Sequence, residues 1–245
     1  MSASSTSPLG AMWRPMLSCQ PMKPRVGMVT IGQAPRVDVV PAMADVLGPD
    51  VEIIERGALD GLGGDEIAQL APESDDEVLV TRLTDGSSVF VGKRSVTPRV
   101  QRMIAELDAL GVSMTVVLCT GHFSGLRARR PLVEPDKILL GVLRGVSFEG
   151  RLGVLTPSER HVEPTTRRWR EHGFDPVVVA ASPYRHAAPI SVVADRLRAG
   201  GVGFVVLDCI GFQRSQRDAL QAALDVPVIV ANLLVARVVA ELLST

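Results

Sequence analysis

The feature that most constrains the fold is an alternation of two hydrophobic periods along the chain. Short β-branched runs at residues 26–31, 51–55, 114–118, 152–155, 177–180, 204–207 and 226–230 alternate with longer stretches at 36–47, 96–110, 160–172, 191–198 and 215–224. In the longer stretches the apolar residues recur every three or four positions. Runs that are short and almost wholly apolar predict strands buried on both faces, and the intervening stretches predict the helices that cover them. The expected class is therefore α/β with parallel sheets. Residues 77–93 depart from the pattern. Two extended runs flank Asp85-Gly86 there, a pair suited to the positive φ of a tight turn, and they predict an added hairpin.

The two halves of the chain repeat one another faintly. Arg25-Val26-Gly27-Met28-Val29-Thr30 resembles Arg151-Leu152-Gly153-Val154-Leu155-Thr156, and Val116-Val117-Leu118-Cys119 resembles Val205-Val206-Leu207-Asp208-Cys209. A third pair, Pro131-Leu132-Val133 and Pro227-Val228-Ile229, follows in the same order. Any one match could be chance between parallel strands; three in order point to duplication. The spacing between matched strands is longer in the first half, which places an insertion at about residues 58–94. Two Rossmann-like lobes related by a pseudo-twofold and facing a central cleft are expected. The predicted division is a flexible leader at 1–24, a first lobe at 25–125 with the hairpin near 77–93, a second lobe at 126–230, and a closing helix at 231–245 placed to pack across the lobes.

Composition excludes several function classes. The 26 Lys and Arg nearly cancel the 27 Asp and Glu, and a net charge of −1 gives no field for drawing in nucleic acid or an anionic membrane. Longer apolar stretches such as 226–243 are interrupted by Pro227, Asn232, Arg237 and Glu241, so no membrane span is expected. The three cysteines, Cys19, Cys119 and Cys209, are too few and too scattered for a disulfide framework, which suggests a reducing cytoplasm. His122, His161, His172 and His186 show no metal spacing, and Gly61-Leu62-Gly63-Gly64 lacks the strand and spacing of a dinucleotide fingerprint. Neither a metal nor a cofactor is expected. A homodimer is compatible with the sequence.

Ligands of open α/β sheets bind beyond the carboxyl ends of the strands. Thr30, Cys119, Thr156 and Cys209 all stand at such ends, and each cysteine precedes a glycine turn, Cys119-Thr120-Gly121 or Cys209-Ile210-Gly211. A lone cysteine after a strand is usually inert packing. Two at equivalent positions suit a chemistry in which one thiolate removes a proton from a carbon and the opposite thiol returns one. Backbone N–H groups gathered in the turns are expected to lower the thiol pKa. Thr120, Thr156, Ser158 and the turn amides are candidate donors for charge developing on an adjacent carboxylate. The loop Gly32-Gln33-Ala34-Pro35-Arg36 places Pro35 at an expected helix start and offers Arg36 as a fork for a carboxylate. Its alternative is an ordinary helix-start loop. Arg127, Arg129 and Arg130 either overhang the cleft or form a solvated surface, and His122 is a candidate partner for Cys119.

Three stretches carry a family resemblance. They are Val26-Gly27-Met28-Val29-Thr30-Ile31-Gly32-Gln33-Ala34-Pro35-Arg36, Leu207-Asp208-Cys209-Ile210-Gly211-Phe212, and the run from Asp225 to Arg237. Together they resemble the AroM family from about Arg25 to Leu243. That resemblance implies the fold of the aspartate/glutamate racemase superfamily, which includes hydantoin racemases, maleate isomerases and arylmalonate decarboxylases. It further implies Cys119 and Cys209 as catalytic residues and supports a carboxylate pocket through Thr120, Thr156, Pro157 and Asn232; with the residue readings above, the candidate pocket is Thr30, Gln33, Arg36, Thr120, Gly121, Thr156, Pro157, Ser158, Ile210 and Asn232. Leu155-Thr156-Pro157 is similar to the Thr-Pro turn of the maleate isomerase branch, and Asn232 to an Asn found there. Gly121 and Ile210 depart from the pattern, standing where racemases offer polar residues. Asp208 would raise the Cys209 pKa if it faced inward, although strand alternation sets the two on opposite sides.

The expected function is cofactor-independent racemase, isomerase or decarboxylase chemistry on a small carboxylate. The alternative is a non-catalytic carboxylate-binding or regulatory protein on the same fold.

Overall fold

The computed structural model describes residues 23–184 and 189–244. Most of the leader, Cys19 and His186 lie outside the described residues. The first half runs β1 (Arg25–Thr30), α1 (Val40–Leu47), β2 (Glu52–Gly57), α2 (Gly64–Ala68), β3 (Val78–Arg82), β4 (Ser88–Gly92), α3 (Lys93–Ala109), β5 (Met114–Leu118), β6 (Leu132–Val133) and α4 (Pro135–Arg144). The second runs β7 (Arg151–Thr156), α5 (Val162–Glu171), β8 (Pro176–Ala180), α6 (Ile190–Ala199), β9 (Val202–Leu207), α7 (Arg214–Leu224), β10 (Val228–Val230) and α8 (Ala231–Leu243).

Each half builds one parallel four-stranded sheet, ordered β2-β1-β5-β6 and β8-β7-β9-β10. The matched sequence pairs therefore occupy equivalent strands: β1 with β7, β5 with β9, and β6 with β10. The two Cys-bearing strands are each central. β3 and β4 pair antiparallel outside both sheets. At their turn only Gly86 adopts a positive φ, of 85°, while Asp85 uses its carboxylate to accept the Ser87 N–H at 2.8 Å.

Side chains alternate between the two faces of each strand, and both faces of the central strands are buried. Met28, Val116 and Leu118 turn one way into a core shared with Leu152, Val154 and Val206 of the second sheet, while Val29 and Val117 turn the other way towards Ile104 and Leu107 of α3. On the second sheet Val205 and Leu207 likewise face away, towards Leu197 and Leu220. The shared core is completed by Leu139 and Leu143 of α4 and by Val235 and Val239 of α8, so the closing helix of each half stands between the sheets. α8 also packs on α1 of the first half. Each buried Leu or Val contributes roughly 1.5–3 kcal/mol by leaving water, and these helices join the halves accordingly.

Two boundaries differ from expectation. The first sheet extends to Val133, because Leu132-Val133 lies beside Thr115-Val116 and the Thr115 N–H donates to the Pro131 carbonyl at 3.0 Å. A lobe boundary at 125 would cut that sheet. Helix α1 begins at Val40 and not at Arg36, with Pro41 in its first turn; Pro35 comes just before a turn closed by the Val39 and Val40 N–H groups, which donate to the Arg36 carbonyl at 3.1 and 2.9 Å. Among the described residues no helix is long and apolar enough to cross a membrane.

Candidate functional site

β5 and β9 end at Leu118 and Leu207, and the next residues, Cys119 and then Asp208-Cys209, turn into a cavity of about 470 Å³ lined by both cysteines. Each thiol is deeply buried, the residues being 8% and 7% exposed. Each following glycine admits a side chain that a Cβ would exclude. A Cβ on Gly121 would lie 2.8 Å from Leu79 of β3, and one on Gly211 would lie 2.5 Å from the Tyr184 hydroxyl. The two pseudo-equivalent turns are thus covered differently, one by an apolar side chain and the other by a phenol.

That difference reaches the thiols. The Cys119 sulfur accepts the Gly121 N–H at 3.3 Å, but burial dominates and, with the charges of Cys209, Asp136 and Asp208, pushes its pKa up to about 12. Burial raises Cys209 as well; here the Gly211 N–H, the Tyr184 hydroxyl at 3.9 Å and the Arg36 charge all oppose it. The expectation that turn amides would lower both thiols is corrected: in a site this buried, desolvation of the thiolate outweighs them.

Arg36 is itself buried. Its fork grips the Asp38 carboxylate through Nε and Nη2 at 2.8 and 2.9 Å, Nη1 donates to the Thr30 hydroxyl at 2.9 Å, and Nη2 also reaches the Tyr184 hydroxyl at 3.3 Å. Burial alone would lower the Arg36 pKa, but Asp38, Tyr184 and Cys209 outweigh it and keep the guanidinium charged. Asp38 is also pushed up by burial, and the bonds and charge of Arg36 reverse this and lower its pKa. Arg36 lines the cavity with its donor fork already engaged, so it acts on Cys209 and Tyr184 and is not a free carboxylate clamp.

A second arginine joins the two cysteine turns. Arg168 of α5 donates through Nη1 to the Thr120 carbonyl at 3.1 Å and through Nη2 to the Asp208 carboxylate, which also accepts the Trp169 indole N–H at 3.0 Å. Thr120 closes the circuit, donating its hydroxyl proton to the Asp208 carbonyl at 3.1 Å. Asp208 is thus held against α5, yet it still lines the cavity and its charge adds to the rise of the Cys209 pKa.

The other expected residues divide into two groups. Thr120, Gly121, Thr156, Pro157 and Ile210 line the cavity with the cysteines. Thr30, Gln33, Ser158 and Asn232 stand outside that lining, each in a structural bond. Thr30 accepts from Arg36 and from the Gly32 N–H, Gln33 accepts both the N–H and the hydroxyl of Thr84 at 3.0 Å, and Ser158 bonds the His161 Nδ1 at 2.7 Å. Asn232 donates to the carbonyls of Ile210 and Phe212 at 3.0 and 2.8 Å, shaping the Cys209 turn from beneath. His122 lies at the cavity and pairs with Asp136 at 2.8 Å in place of Cys119. Arg127, Arg129 and Arg130 are exposed and outside the lining, where the backbone N–H groups of Arg127 and Arg129 bond Gln101 and Asp108. Tyr184, Asp38 and Arg168 carried no expectation. Among the described residues no group of three or more His, Cys, Asp or Glu is arranged to hold a metal.

His161, at the cavity wall, gives a pH signature. Burial first, then the Arg160 and Arg168 charges against Asp208 and Asp75, lowers its pKa from 6.5 to about 4. The unfolded chain therefore takes up a proton that the folded protein refuses until lower pH. Stability supplied by neutral His161 is present above pH 6.5 and is lost as pH falls towards 4. Roughly 2–3 kcal/mol should disappear over that window. Urea titrations across it should show the slope in the native chain and a flatter curve in His161→Gln; equal slopes would refute the assignment.

The family model described as AroM protein matches residues 26–243. The chain belongs to the AroM family. Among solved structures, the AroM chain is similar to arylmalonate decarboxylase, at 17% identity over 90% of this chain and 93% of that one, with a TM-score of 0.59. It is similar to allantoin racemase from Klebsiella pneumoniae at 17% identity, covering 90% and 87% of the two chains, TM-score 0.57. For maleate isomerase from Pseudomonas putida the figures are 15%, 90%, 92% and 0.58. Likeness at these identities establishes the fold that this AroM protein shares with them. No curated protein matches its sequence.

Proposed function

We propose that this AroM protein is a cofactor-independent enzyme that moves a proton on the carbon next to a small carboxylate, with Cys119 and Cys209 as its acid/base pair. The observation that carries the reading is the placement of two thiols, at equivalent strand ends of two matching sheets, in the wall of one cavity. The names of the structurally similar proteins, a racemase, an isomerase and a decarboxylase, agree with it.

The unequal surroundings support a division of roles. Cys209, whose thiolate is favoured by the Gly211 N–H, the Tyr184 hydroxyl and the Arg36 charge, is assigned as the base. Its thiolate takes the α-proton and becomes a thiol, leaving an enolate-like charge on the carboxylate. Cys119, held protonated, donates its proton to that carbon and becomes the thiolate. One C–H bond breaks, another forms, and the pair has exchanged protonation states. Thr156 and Thr165 share one hydrogen bond at 3.2 Å in the cavity wall, so one of their two hydroxyl protons stays available to the substrate oxygens.

A second reading has an observation in its favour. Burial raises both thiols, as suits a protein that binds a carboxylate without turning it over. Incubation in heavy water with amino acids, hydantoins and dicarboxylates, followed by NMR, separates the two. The enzyme reading expects deuterium at the α-carbon, absent when both cysteines are serine. Thermal stabilisation by a carboxylate, with no exchange and no sensitivity to the serines, would favour the binding protein.

A further inference from the structure

Beyond the two thiols, the cavity is asymmetric in a second respect. The inserted hairpin contributes Val78, Leu79 and Val80 to its wall, and α4 and α5 contribute Leu139, Leu140 and Trp169. Leu79 lies over the Gly121 turn, so this apolar wall begins beside Cys119. The hairpin segment is tied across the cleft to the second lobe. Asp75 pairs with Arg160 at 2.8 Å, Asp76 pairs with Arg167, and the Arg160 guanidinium stands 5.2 Å from the centre of the Phe90 ring.

The charges facing the cavity are largely matched within the protein. Of the lining cations, Arg36 holds Asp38, Arg168 holds Asp208, Arg167 holds Asp76, and Lys137 holds Glu134. Among the described residues Lys93 is the lining lysine or arginine without an ion pair. His161 is kept neutral at physiological pH by burial. One carboxylate can therefore be matched by full charge, whereas a second would lie against the apolar wall or near Asp136, Asp208 and Glu171, at the cost of an unpaired buried charge. A volume of about 470 Å³ also falls in the range of roughly 300–1,000 Å³ that encloses ligands well beyond the smallest acids.

We infer that the ligand of this cavity is a monocarboxylate whose reacting carbon bears a bulky apolar substituent, seated between the inserted hairpin and α4. The inference rests on the cavity being the substrate site, and it names the substrate class of the enzyme proposed above. Calorimetry on the full chain tests it with isocaproate, hydrocinnamate, propanoate and succinate. Each buried methylene is worth about fourfold in affinity, so isocaproate and hydrocinnamate should bind at least tenfold more tightly than propanoate or succinate. Leu79→Ser should narrow the isocaproate preference over propanoate about tenfold. Leu140→Ser, at a partly exposed helix position, should do the same if the first variant fails to fold. Succinate binding as tightly as isocaproate, or an unchanged preference in a folded variant, would overturn the inference. Deuterium exchange on the same acids reports separately on catalysis. Selective binding without exchange would sustain the ligand class and defeat the enzyme reading, while exchange on dicarboxylates alone would do the reverse.

Discussion

Arg168→Met is expected to cost about 3 kcal/mol of folding stability at neutral pH, the lower end of the loss incurred when one partner of a buried ion pair is removed. The lower end applies because the Arg168 side chain is 24% exposed, while that of Asp208 is 2% exposed. Methionine preserves the length of the side chain and its packing against Trp169, so the loss reports on charge. Asp208 would keep the Trp169 N–H and lose its cation. Its buried carboxylate would then be left without a charge partner, which is the costly arrangement. Urea unfolding at pH 7 should therefore show the deficit. Asp208→Asn added to Arg168→Met should recover part of the loss, since the buried charge is gone. A deficit below about 1 kcal/mol, the size of a surface pair, would mean that the clasp is solvated and does not tie the two cysteine turns together.

How much of this was legible in the sequence depends on period. The strands and helices announced themselves because a parallel sheet covered on both faces needs continuous apolar runs, and Val116-Val117-Leu118 and Val205-Val206-Leu207 are such runs in matching places. The duplicated order of strands followed from the same runs. The arginines were not legible in the same way. Arg168 lies in Thr166-Arg167-Arg168-Trp169-Arg170, where its charge reads as one of three on a solvated helix face. Only the fold brings Asp208 to it from 40 residues away. Arg127, Arg129 and Arg130 drew more notice in the sequence and are on the surface. Arg36 reaches the cavity, but its short link to Asp38 occupies the fork; the Arg-x-Asp spacing is the signal of that link in the sequence. Tyr184 had none. It sits beyond β8 in a segment without periodicity, and its role exists only because Gly211 leaves room for the ring.

The largest kinetic effect expected is an unequal response of the two thiols. Cys209→Ser should lower α-proton exchange by about 10²–10⁴-fold, the usual worth of a positioned acid/base group, because Cys119 with a pKa of about 12 is a poor replacement base. Cys119→Ser should instead retain exchange at one face, since Cys209 can remove a proton and return a deuteron by itself, while inversion at the carbon falls by a similar factor. In the native chain both thiols are raised, so the thiolate of Cys209 is a minority at neutral pH and kcat/KM should climb about tenfold per pH unit below its pKa. Tyr184→Phe removes the hydroxyl 3.9 Å from that sulfur and should displace the climb to higher pH while leaving its slope unchanged. A merely structural tyrosine would lower the whole profile without moving it. Equal losses of exchange in the two single serine variants, or a profile flat between pH 6 and 8, would reject Cys209 as the base and with it the assignment of direction across the cleft.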